Sequence, residues 1–354
     1  MVYIPNKSIH PGYTIAKALA REGMTQKSLS ERTGLTEKHL SRIINGEASI
    51  TVETALLLEN ALGGAASFWI NLEKNYQETE ARLERLVLVK KEVGMLSKFP
   101  YKDLAKRGYV EQTTNNAKRV ENLWKFFGVN SLLFVQNTEA VAYRKKDGMA
   151  VKSEAISAWL RCGEIESRKV NLPEYSESKL QEALSRIKLL STEEPEKFSV
   201  KVANILNDAG VSVVYMPHFP GTGVSGAVRW INNNPIIQLS IYYAWADLFW
   251  FNLYHEIGHL LLHGKKDKFI EFDNKALSTA QEEEREADEF AGNALIPEEE
   301  YADFLKNPLS RQGIADFASS LGIHPGIIAG RLCHDGLVKW QNVSKLRPRL
   351  KFAQ

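Results

Sequence analysis

The chain has 354 residues, more than one average domain, so two or three domains are expected. Hydrophobic residues make up 44% and charged residues 25%, which excludes disorder as the main state. A net charge of +2 creates no global field toward nucleic acid, so any basic contact surface must be local.

Cys162 and Cys333 alone build no disulfide framework and stand in no Cys-x-x-Cys pair, which fits a reducing compartment. The opening MVYIPNKSIHPGY lacks the long apolar core of a secretory leader. The most apolar stretch, from Ile236 to Leu262, is broken by Asp247, Asn252, His255, Glu256 and His259, which excludes a membrane span. A cytoplasmic protein is the expectation.

The first 75 or so residues read as short helices. Thr25, Thr36 and Thr51 precede the runs QKSLSERT, EKHLSRII and VETALLLENAL, where a threonine oxygen accepts an amide of the first turn. Apolar residues recur at helical spacing, as in Leu40, Ile43 and Ile44, then Ala55, Leu58 and Leu62. Gly34, Gly46 and Gly63 close these runs. Two helices around Gly34 follow the helix-turn-helix plan, in which the second helix lies in the major groove. Its outward residues are Thr36, Lys38, His39, Ser41, Arg42 and Asn45, and Gln26 and Lys27 open the preceding helix. Up to Asn45, seven basic residues (Lys7, Lys17, Arg21, Lys27, Arg32, Lys38, Arg42) face three acidic ones (Glu22, Glu31, Glu37). The same pattern also occurs in helical bundles that never meet DNA.

A longer helix is predicted from Ala65 to Lys91, where neither Gly nor Pro intervenes. Helical patterns with Gly and Pro breaks continue to about Asn207. From Val211 the runs VSVVYM, GAVRW and PIIQLSI, with turns between them, predict a small antiparallel sheet. A helix from Trp245 to Leu262 and an acidic helix from Gln281 to Leu295 follow, then a helical pair at Ile314–Leu321 and Pro325–His334. The basic residues after Arg331 (Lys339, Lys345, Arg347, Arg349, Lys351) read as a solvated tail.

His255-Glu256-Ile257-Gly258-His259 carries the strongest chemical signal. Residues four apart share a helix face, so both imidazoles can reach one zinc ion. Glu256 can then take a proton from the water that the ion activates. A third ligand comes from the acidic helix: Glu284 and Asp288 share a face, one to hold metal and one to accept a ring N–H. Glu286 is the competing ligand. His263 can cap the helix or approach the site, and His218 and His324 are alternatives as oxyanion stabilisers or as structural residues. Trp245, Phe249, Trp250 and Phe251 read as core packing.

YHEIGHLLLHG followed by EREADEFAGNALIP resembles the ImmA/IrrE group of metallo-endopeptidases, related in plan to gluzincins, over about Val211 to Arg331. The resemblance implies His255, His259 and Glu284 as zinc ligands and Glu256 as catalytic base. It also implies a small sheet over the active-site helix, with the strand near Ser225–Trp230 as a rim for extended peptide.

Residues 9–76, with the HPG opening, the INGEASIT turn and the FWINLEKNY close, resemble HigA/VapI-type antitoxins within the Xre-like repressors. Tyr13 stands where that family more often has an acidic residue, and some 270 further residues are absent from short antitoxins. This resemblance implies a homodimer on a palindromic operator, repression of its own operon and a HigB-like toxin as protein partner. The expected architecture is α+β, mostly α. It comprises a five-helix helix-turn-helix domain (1–76), a helical middle (77–207) and a minigluzincin-like domain with a small antiparallel sheet (208–354).

Three functional readings remain. One is a DNA-bound regulator with a zinc endopeptidase that cleaves a regulatory protein partner or itself. Another is an antitoxin-repressor whose zinc domain binds toxin without catalysis, and the third a regulator that senses metal. Glu256 favours the first, because a binding module has no need of a base beside the metal.

Overall fold

The computed structural model describes residues 7–135, 152–240, 245–264, 269–272 and 281–350. Side-chain acceptors set the early helix starts. His10 Nδ1 accepts the Gly12 amide at 2.9 Å and opens α1 (Pro11–Arg21), whose first residue has no N–H to satisfy. Thr25, Thr36 and Thr51 accept amides at 3.1, 3.2 and 3.2 Å and open α2 (Gln26–Thr33), α3 (Glu37–Ile44) and α4 (Val52–Leu62). Gly34 turns the chain between α2 and α3 at φ 73°, a conformation cheap only for glycine. The long helix α5 spans Ala66–Glu92, one residue later at each end than its sequence pattern. Ile15, Leu29, Leu40, Ile43, Leu58 and Trp69 fill the core of this five-helix unit.

The chain divides into two compact units, Met1–Gly94 and Met95–Gln354. Helix α5 runs through residue 76 unbroken, and helices of the middle region pack into the core of the second unit.

In the second unit α6 (Tyr101–Lys106), α7 (Asn116–Phe127), α8 (Ser153–Ser167), α9 (Glu177–Leu189) and α10 (Pro195–Asp208) lead into the sheet. Strands β1 (Ser212–Tyr215), β2 (Val224–Ile231) and β3 (Asn234–Leu239) are followed by α11 (Ala246–Leu262) and β4 (Phe269–Phe272). The helices α12 (Gln281–Leu295), α13 (Glu298–Phe304), α14 (Arg311–Ser320), α15 (Pro325–His334) and α16 (Trp340–Val343) complete it.

The strands run in the order β1-β3-β2-β4. A two-residue turn with Asn232 at φ 57° folds β3 back antiparallel on β2, and β4 is antiparallel to β2 on its other side. β1 joins β3 in parallel, so the sheet is mixed where antiparallel pairing alone was expected. The rim expectation also needs correcting. Among the described residues β2 is an inner strand: β3 pairs it over Gly226–Ile231 and β4 over Val224–Val228, so Gly226–Val228 has a partner on both sides.

The sheet has two covered faces, because neighbouring side chains along a strand point oppositely. Val228, Ile237 and Leu239 pack with Trp250, Leu253, Tyr254 and Ile257 of α11. Arg229 and Gln238 donate to the Leu160 and Trp159 carbonyls of α8, the latter at 2.7 Å. Gly163 lets α8 come this close, since a β-carbon there would lie 2.0 Å from Gln238 Oε1.

The segment after α15 departs from the solvated tail expected. Arg347 forms a buried ion pair with Asp247 at 2.7 Å, their side chains 9% and 5% exposed. The Arg347 guanidinium stacks on Trp340 and Trp245, Arg349 stacks on Trp245, and Ala246 N donates to Pro348 O at 3.1 Å. The segment thus straps the first turn of α11. Cys162 and Cys333 are free thiols, both buried. Among the described residues, no helix is long and apolar enough to cross a membrane.

Candidate metal centre and nucleic-acid interface

Helix α11 is buried along most of its length and carries His255 and His259 one turn apart, each 1% exposed. Their ring centroids lie 4.6 Å apart and their Nε2 atoms 2.9 Å apart. Gly258 lets α12 cross tightly: a β-carbon there would meet Phe290 at 3.0 Å and the Ala287 backbone at 3.3 Å. The crossing brings Glu284 to the histidines, with Oε2 3.4 Å from His255 Nε2 and Oε1 3.6 Å from His259 Nε2.

These three groups form a candidate metal cluster, each offering one ligand atom. Metal–ligand bonds of about 2.0–2.1 Å at tetrahedral angles separate ligand atoms by roughly 3.3 Å, close to the spacing seen. Two imidazoles and a carboxylate are also the donor set of catalytic zinc sites. Asp288 Oδ1 stands 3.0 Å from His255 Nδ1, so this ring donates from Nδ1 and turns the Nε2 lone pair toward the cluster. Burial, then the neighbouring His255 and His263, push His259 down to about 2, which keeps its ring neutral and able to ligate.

Glu256 is fully buried, 0% exposed, with its carboxylate against β2 at Gly226. Glu286 does not join the cluster but reaches His263 Nδ1 at 3.7 Å. His263 ends α11, and its Nε2 donates to Glu283 O at 3.0 Å. His324 Nδ1 accepts the Gly326 amide at 2.9 Å and so caps α15. His218 is half-buried with its carbonyl held by Arg107, and burial lowers the pKa of its ring. Trp250 is fully buried in the core, whereas Trp245 lies under the strap arginines.

Sequence reasoning passed over two glycines, Gly226 and Gly258, and the strand β4. An isolated glycine in a strand pattern does signal a bulge or a close approach, and Gly226 is both.

In the first unit α3 buries Leu40 and Ile43 and turns its other face outward. Gln26, Lys27, Thr36, Lys38, Arg42 and Asn45 are exposed, while His39 and Ser41 are half-buried. Arg42 Nη2 donates to Glu47 O at 3.3 Å and Asn45 Nδ2 to Ser41 Oγ at 3.3 Å, holding both side chains beside the turn. Thr36 Oγ1 is committed to the cap of α3.

Comparison with known proteins places both regions. Residues 15–69 match the family described as helix-turn-helix, and residues 206–332 match the peptidase family described as IrrE N-terminal-like domain. A solved structure from Nostoc punctiforme, described as an antidote protein of a plasmid maintenance system, is 30% identical. The match covers 26% of this chain and 96% of that one, with a TM-score of 0.23. An addiction module antidote protein of a HigA family from Coxiella burnetii is 28% identical over 31% of this chain and 99% of that one, with a TM-score of 0.21. No curated protein sequence matches. The chain therefore joins an Xre-like helix-turn-helix DNA-binding domain to a peptidase domain of the ImmA/IrrE family.

Proposed function

We propose that the chain is a DNA-binding regulator whose second unit is a zinc-dependent endopeptidase acting on a regulatory protein. The observation that carries this reading is the cluster of His255, His259 and Glu284, with fully buried Glu256 on the same helix as the histidines. We assign DNA reading to residues 1–76 and cleavage to 208–354, with the helical stretch 77–207 between them. Binding as a homodimer to a palindromic operator belongs to the same reading.

His255, His259 and Glu284 would hold a zinc ion, which would supply Lewis acidity at the scissile carbonyl. Asp288 fixes the His255 tautomer. Glu256 takes the proton of the attacking water and delivers it to the leaving amine nitrogen, so it acts first as base and then as acid. Extended peptide meets the sheet at β4, which ends the strand order of the described residues beside β2.

Glu256→Gln tests the reading, since the amide keeps size and hydrogen bonding but takes no proton. Zinc content and operator binding are expected to survive, and cleavage of the regulatory protein to fall at least about 100-fold. If the variant cleaves like wild type, Glu256 is not the base; if the wild-type chain itself cleaves nothing, the zinc domain is a toxin-binding or metal-sensing module.

A further inference from the structure

Strand β2 carries a bulge beside the candidate base. Val224 pairs with Phe272 and Gly226 with Glu271, so Ser225 is an extra residue on the β2 side. On the other side Gly226 pairs with Leu239, and Ser240 N donates to Ser225 O at 2.8 Å. The backbone at 225–226 is therefore held from both neighbouring strands. Against it lies the Glu256 side chain: a β-carbon at Gly226 would fall 2.0 Å from Oε1, 2.8 Å from Cδ and 3.0 Å from Cγ.

We propose that Gly226 is a positioning residue whose bare α-carbon, held by the bulge, sets where the Glu256 carboxylate sits beside the metal cluster. This rests on the reading of Glu256 as the base. Any larger residue at 226 moves the carboxylate rather than the strand, because the strand is bonded on both edges and the group it meets ends a flexible side chain. Restoring ordinary contact of about 3.4 Å displaces Oε1 by roughly 1.4 Å. Misplacement of about 1 Å is enough to cost a catalytic group about 100-fold.

The test uses the full chain loaded with cobalt(II), whose visible spectrum reports binding without a peptide substrate. The probe is acetohydroxamate, which chelates through two oxygens and offers a proton donor to a neighbouring carboxylate. Acetate, which coordinates without that donor, is the control. Wild type, Glu256→Gln and Gly226→Ala are expected to bind one cobalt each and acetate equally. Acetohydroxamate is expected to bind both variants about 10-fold or more weaker, the effect of a lost charged hydrogen bond.

A Gly226→Ala protein that binds acetohydroxamate like wild type overturns the inference alone. Unchanged affinity in Glu256→Gln overturns the parent reading as well. Should Gly226→Ala not fold, the comparison moves to Glu256→Ala with and without Gly226→Ala. With the carboxylate gone the added methyl has room, so equal melting temperatures support the inference and a large further loss overturns it.

Discussion

Asp288 accepts the Nδ1 proton of His255 across 3.0 Å, joining the acidic helix α12 to the histidine helix α11 at a point outside the ligand cluster. In the proposed zinc site Asp288 would act on the metal only through the orientation and basicity of one ring. Asp288→Ala is expected to weaken zinc about 10–100-fold, while Glu284→Ala, which removes a ligand, loosens it further. Competition with a chromophoric chelator measures both. Equal zinc affinity in Asp288→Ala and wild type contradicts the assignment.

The exposed face of α3 predicts a split between two kinds of DNA contact. Arg42→Ala is expected to cost about 1–3 kcal/mol on the operator and to relax its specificity, whereas Lys27→Ala weakens all sequences alike. Anisotropy titrations with the chain's own promoter and with scrambled duplex separate the two. Because Arg42 also bonds Glu47 O, the variant's melting temperature must be shown to match wild type. Undiminished operator binding by a chain lacking residues 1–75 defeats the DNA-reading assignment.

His324 gives a pH dependence with a definite sign. Burial lowers its pKa below the ordinary 6.5, so between the two values the unfolded chain binds more protons than the folded one. Its contribution is complete above about pH 6.5 and is lost as pH falls through the folded value. His324→Asn keeps an acceptor for the Gly326 amide but does not titrate. The metal-free variant is expected to lose less melting temperature than wild type between pH 7.5 and 5 (both about the ordinary histidine range). Parallel curves refute this.

The strap over α11 predicts a large loss on breaking one buried pair. Arg347→Ala leaves the Asp247 carboxylate buried without its guanidinium, and removing one partner of such a pair costs about 3–5 kcal/mol. Adding Asp247→Asn to that variant is expected to recover part of the loss. Urea unfolding of the second unit reads both effects. A loss below about 1 kcal/mol shows the pair to be no more than a surface contact.

What the sequence made legible was local. The threonines before three helices, the i, i+4 histidines and the shared face of Glu284 and Asp288 need only helical geometry, and the structure reproduces that geometry. What it hid was long-range. Nothing within PIIQLSI says that β1 will join β3 in parallel, and β4 has four residues and little pattern of its own. The basic segment beyond Arg331 looked solvated because its partners, Asp247 and Trp245, lie about a hundred residues away. Gly226 announced a close approach without naming what approaches, since Glu256 is thirty residues further on and belongs to another element.

The cluster draws its ligand atoms from two helices, α11 and α12. Both imidazoles come from one helix and can be presented to a metal as soon as that helix forms. The carboxylate arrives only when α12 has closed over Gly258. An ion captured early is held by two nitrogens and exchanges readily, whereas one captured late is trapped by a completed crossing. If zinc occupies the cluster, the rate at which it is surrendered to a chelator is expected to follow the parting of α11 and α12.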